Sequence, residues 1–312
     1  MSVEVAAPVQ MIDGAQGTAL RVDERLWQRA AWAYALVTTA ALSYFILGIP
    51  VQLTDCLANL FRVQDRSVID IFMAEARGAY VRPLLWAQIK VAYEAANGHY
   101  FLTFKAIHIA QLAAATLLFL RLLRVRTRVD AVVVPLGLAM MFGGHTFRGT
   151  INEAFPINSF LTVVIACLAA ATLGLGSHAR WRDVAANLVL VATLLTLESG
   201  VLVWVCLVAA WVLGGRGVSN RALALATVVV GVYLAARFAL PGNSIPGLTE
   251  RPSGFGFGTL EGQQLVDRFG AEPLWFYAHN VGVQVLSVLF SEPRGGTWGF
   301  VRDVLRNQVR PG

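Results

Sequence analysis

The chain has 312 residues, 56% of them hydrophobic and only 14% charged, with 25 Lys and Arg against 19 Asp and Glu. A soluble domain carries nearer a quarter charged residues, so this composition and a mean hydropathy of +0.60 argue against an ordinary soluble enzyme. The net charge of +6 does not point to nucleic acid, because the arginines cluster between apolar runs rather than forming a basic stripe.

The expected fold class is all-α: a polytopic transmembrane bundle of about eight spans, since several stretches approach or exceed the roughly 20 apolar residues a bilayer requires. Residues 1–25 read as a polar cytoplasmic segment. They lack the short apolar core of a cleavable signal peptide, so the first span is expected to stay as an anchor. The transmembrane domain is expected over 26–290 and a cytoplasmic tail over 291–312. Span one runs from Leu26 to Ile49 and closes at Pro50. The polar loop 51–98 follows. In it Leu57, Leu60, Phe61, Ile69, Phe72 and Met73 fall at helical spacings, as do Leu84, Leu85, Ile89 and Ala92. Two short helices lying along the membrane surface are expected there.

Span two covers Phe101–Leu123 and ends in the arginine run Arg121–Arg128. Span three covers Ala131–Phe142, and the loop after it holds His145, Arg148, Asn152 and Glu153. Span four covers Pro156–Leu175, with Arg180 and Arg182 at its end. The apolar run Val184–Leu213 is too long for one ordinary span and is interrupted at Glu198-Ser199-Gly200, so it is read as two short spans joined by a tight turn. Arg216 and Arg221 precede span seven, Ala222–Leu240. A Gly- and Pro-rich loop leads to span eight, Pro273–Phe290. With both termini in the cytoplasm, every strong arginine cluster lies inside, and Asp55, Arg82, Glu153 and Glu198 lie outside.

The three cysteines, Cys56, Cys167 and Cys206, suggest neither a disulfide framework nor a metal cluster. His108 and His279 lie on apolar faces and read as satisfied core residues. Phe255-Gly-Phe257-Gly258 follows no strand and reads as loop. Trp27, Trp86, Trp275 and Trp298 suit an interfacial belt.

Four pieces in this order resemble the C-type (GT-C) superfamily of integral membrane glycosyltransferases. They are Leu53-Thr54-Asp55-Cys56 after span one and Tyr80-Val81-Arg82-Pro83-Leu84 before an amphipathic helix and the Asn97-Gly98 turn. The others are His145 to Glu153 in the second outer loop and the Leu197-Glu198-Ser199 interruption. The resemblance covers residues 30–215. It implies inverting transfer of a sugar from a polyprenyl-phosphate carrier to an acceptor outside the cytoplasm, with the lipid bilayer and that carrier as partners. Cys56 stands where the family often has a second acid, and family chains are usually longer. A membrane protein partner is therefore also an expectation, as is a non-catalytic or transport-related protein of the same topology.

Under the resemblance Asp55 is the general base, because sugar transfer to a hydroxyl needs a carboxylate within reach of the acceptor proton. The alternative is a helix cap. Arg82 would grip the carrier phosphate with its guanidinium fork; the alternative is a solvated arginine before a helix-starting proline. Lys105 would pair with the carrier phosphate or serve as an anchor. Arg148, Glu153 and Glu198 would bind carrier or acceptor, since acids bordering apolar sequence are functional candidates; structural ion pairs are the alternative. No cofactor is expected. A divalent metal at His145 with Glu153 or Asp55 stays open, although a lone loop histidine is more often simply solvated.

Overall fold

A computed structural model describes residues 13–50, 55–77, 81–143, 157–239 and 262–270, with 275–276, 278–279 and 282 beyond them. Among these residues the secondary structure is helical, without strands. The first helix, α1 (Asp13–Gly48), begins well inside the segment read from sequence as a polar tail. Its apolar part is Glu24–Gly48.

Three short helices follow, where the sequence spacing indicates two. They are α2 (Asp55–Gln64), α3 (Val68–Ala76) and α4 (Pro83–Ala96). The division falls at Ser67, whose hydroxyl accepts the Asp70 N–H at 3.1 Å and starts a new helix. Pro83 opens α4 at its first turn, where its missing N–H would have no partner anyway. Asn97, left-handed at φ 42°, closes it, and Gly98 at φ 87° completes the turn. This layer is held by Val63, Ile71, Ile89 and Ala92, with Ile157 from a later element. Arg62 pairs with Glu75 and lies 4.0 Å from the Trp86 ring.

The longer helices are α5 (Tyr100–Leu123), α6 (Arg128–Gly143), α7 (Ser159–Gly174), α8 (Arg180–Leu194), α9 (Val201–Val212) and α10 (Asn220–Ala239). A 3₁₀ turn, Glu198–Gly200, joins α8 to α9. A last described helix is α11 (Gly262–Phe269). The helix α7 stands between two cores. Leu161 packs with α1, α5 and α6 through Leu112, Val134 and Leu138. Ala166 and Ala170 pack with α8, α9 and α10 through Leu190, Leu207 and Ala226.

Hydrogen bonds between helices set their directions. Gln28 reaches the Val125 carbonyl and Thr39 reaches Thr116, so α1 and α5 are antiparallel. His108 meets Asn158 and, one turn on, Gln111 meets Thr162, so α5 and α7 run alike. Arg182 donates to the Leu173 carbonyl, so α8 returns beside α7. Asn187 donates to the Ala222 carbonyl, placing the starts of α8 and α10 together. One end of the bundle thus gathers Arg121–Arg128, Arg180, Arg182, Arg216 and Arg221. The other gathers the α2–α4 layer, Lys105, Glu198 and Arg237.

Three helical segments, Glu24–Gly48, Tyr100–Leu123 and Asn220–Arg237, are long and apolar enough to cross a membrane. Ser159–Gly174 and Glu198–Val212 are shorter apolar helices. Large apolar side chains such as Leu36, Tyr44, Leu136, Val228 and Val232 face outward. So wide an exposed apolar surface fits contact with lipid better than water.

Candidate functional site

The interruption at Glu198 organises one end of the bundle. The helix α8 stops at Leu195, and the extended Leu197 turns the chain into the 3₁₀ turn. Gly200 sits against the end of α8: a Cβ there would lie 2.6 Å from the Leu194 nitrogen and the Thr193 carbonyl carbon. Only glycine permits this close approach. The Leu84 N–H donates to the Leu195 carbonyl at 3.0 Å, which fastens the start of α4 to the interruption.

That junction brings Arg82 to Glu198 across 116 residues of sequence. Arg82 Nε and Nη2 both donate to Glu198 Oε2, at 2.8 and 2.5 Å. Each side chain is 30% exposed, so the pair is neither fully solvated nor sealed. The other carboxylate oxygen, Oε1, is buried and accepts no hydrogen bond among the described residues. Arg237, from the end of α10, lies beside it with Nε 3.9 Å away. One turn earlier on α10, the buried Tyr233 hydroxyl also has no hydrogen-bond partner among the described residues. Two guanidinium groups therefore face one carboxylate. Such an arrangement suits a phosphate, which arginine forks bind through paired N–H groups.

A second polar group lies along α5 at the same end. Asn158 caps α7: its Oδ1 accepts the Leu161 N–H at 2.9 Å, which fixes the amide orientation. Its Nδ2 lies 2.9 Å from His108 Nε2, within hydrogen-bond distance. Gln111 donates to the Asn158 carbonyl and the Thr162 hydroxyl. Lys105 is buried one turn before His108, its ammonium 5.6 Å from the Phe101 ring centre.

The candidates from sequence are thus distributed unevenly. Arg82 and Glu198 are brought together, and Lys105 is placed at the same end. The main chain of Asp55 opens α2, just beyond the end of α1; its side chain lies outside the described residues. Arg148 and Glu153 lie outside them altogether, as does His145. Sequence reasoning passed over Arg237, Tyr233 and Asn158. An arginine closing an apolar span reads as an anchor, and nothing local reveals its approach to Glu198. Among the described residues no three His, Cys, Asp or Glu side chains gather as a metal-ligand set. No family profile matches this chain, and no curated protein or solved structure does.

Proposed function

We propose that this chain is a multi-pass membrane protein of about eight spans with both termini cytoplasmic, and that it transfers a sugar from a polyprenyl-phosphate carrier to an acceptor outside the cytoplasm. The observation that carries this reading is the Arg82–Glu198–Arg237 cluster, opposite the arginine-rich end. Three separated elements converge to hold two guanidinium groups around one carboxylate. The positive-inside rule supports a cytoplasmic arginine-rich end, and the cluster would then lie outside. There Arg82 and Arg237 would hold the carrier phosphate. Asp55 would take the proton from the acceptor hydroxyl as its oxygen attacks the anomeric carbon. The bond from that carbon to the phosphate oxygen breaks, and polyprenyl phosphate leaves.

A second reading has its own support. Arg82 and Glu198 already pair with each other, as in a strut that fastens the surface layer to the interruption. On that reading the chain is a non-catalytic membrane subunit. Binding of a short-chain polyprenyl phosphate to the purified protein in lipid separates the two. The enzyme reading expects saturable binding that Arg82→Lys and Arg237→Gln each weaken about tenfold, since Lys lacks the bidentate fork. No binding, or binding that both variants leave unchanged, would favour the strut.

A further inference from the structure

The arginine-rich end holds a cavity that plays no part in the site above. It measures about 570 Å³ and opens between the beginning of α1 and the end of α5. That is within the roughly 300–1,000 Å³ of ligand pockets, room for a lipid headgroup and the first part of its chains. Its walls are apolar along Trp32, Leu117 and Leu118, and its rim carries Arg121, Arg124 and Arg126. Trp32 and Leu117 are about half exposed, so the groove opens sideways to the surroundings of the bundle.

Charge distinguishes this groove from an incidental gap. Three guanidinium groups border it, and Glu24 is the one acid in its lining. Glu24 Oε1 is held by Gln28, which also donates to the Val125 carbonyl and so fixes α1 beside the arginines. Among the described residues none of the three guanidinium groups is in an ion pair. Arg124 caps α5 in the left-handed region at φ 47°, where glycine is the usual occupant. An arginine thus occupies a backbone conformation that strains a side chain.

We propose that this groove binds an anionic glycerophospholipid of the adjoining leaflet, its phosphate at Arg121, Arg124 and Arg126 and its chains along Trp32 and Leu117. The observations fit one another: basic groups at headgroup depth attract anionic lipid, and an apolar cleft between helices receives acyl chain. The inference rests on the bilayer placement proposed above and not on sugar transfer.

Native mass spectrometry of the full-length protein tests it, with equal phosphatidylglycerol and phosphatidylcholine added to the same detergent. The wild type should retain phosphatidylglycerol over phosphatidylcholine about tenfold or more, because basic groups at headgroup depth favour anionic lipid. The triple variant Arg121→Gln/Arg124→Gln/Arg126→Gln should lose the preference. Arg180→Gln/Arg216→Gln/Arg221→Gln, which removes equal charge at the same end, should keep it. Leu117→Trp fills the cleft with the arginines intact and should lower retention. Arg124→Gly should weaken retention without lowering the thermal midpoint, because glycine relieves the left-handed cap. Equal retention of the two lipids by the wild type would overturn the proposal. So would loss of preference in the control triple variant, or displacement by inorganic phosphate or by polyprenyl phosphate at equal concentration.

Discussion

The contact between Arg82 and Glu198 can be weighed by a double-mutant cycle of Arg82→Gln, Glu198→Gln and both together. Exposed ion pairs typically contribute about 0.2–1 kcal/mol, whereas removing one partner of a buried pair costs about 3–5 kcal/mol. With each side chain 30% exposed, this pair belongs between those limits. Two donors converge on one oxygen, and Arg237 lies 3.9 Å from the other, so the carboxylate is held from both sides. A coupling energy of about 1–2 kcal/mol is therefore expected, with Glu198→Gln the more damaging single change because it leaves two cations facing each other. The assay is reversible unfolding in mixed micelles of dodecyl sulfate, followed by tryptophan fluorescence. A coupling below about 0.3 kcal/mol, the level at which distant sites add, would refute the reasoning. The two residues would then be solvated separately, and nothing would fasten the surface layer to the interruption.

For topology, single cysteines at Ser67 and Ser177, with native cysteines removed, should differ: an impermeant thiol reagent on intact cells should label the first and not the second. The reverse pattern would invert the site's sidedness. Asp130 accepts the N–H groups of Arg126 and Thr127 at 3.0 and 2.9 Å, and these donors hold its carboxyl below the usual aspartate value. A lowered folded-state value stabilises above the unfolded one, near 3.9, and the benefit is lost as pH falls through the folded value. The stability gap between wild type and Asp130→Asn should thus be full at about pH 6 and close in acid, as thermal midpoints across that range would show. Gly200→Ala drives a Cβ into the backbone at 2.6 Å and should destabilise by about 2 kcal/mol in the same micelle assay, with weakened carrier binding because Glu198 moves.

Much of this architecture is legible from periodicity and punctuation. The long apolar runs became α5, α7 and α10. Glu198-Ser199-Gly200 became the turn between two short helices, and Asn97-Gly98 became the left-handed end of α4. Local chemistry is enough in those cases, because turn residues act on their own backbone. The division of the surface layer at Ser67 was missed: the apolar spacing runs on across it, and only the hydroxyl-to-Asp70 cap reveals the break. The early start of α1 was missed because polar residues give no apolar stripe to read. Arg237 is the clearest case. Its meaning comes from Glu198, 39 residues away by number (237 − 198), and that pairing exists only once α10 packs beside α8. His108 gave the opposite result, since its apolar face pointed to a satisfied core histidine and Asn158 lies within hydrogen-bond distance of it.

Sugar transfer itself is the most direct test of the proposed chemistry. The purified protein in lipid would be given polyprenyl-phosphate sugars and a hydroxyl acceptor, and the wild type compared with Asp55→Asn. General-base catalysis predicts that the wild type transfers sugar and that Asp55→Asn lowers the rate by about 10²-fold or more, with the unfolding midpoint unchanged. Transfer undiminished in Asp55→Asn would contradict the assignment of Asp55 as the base.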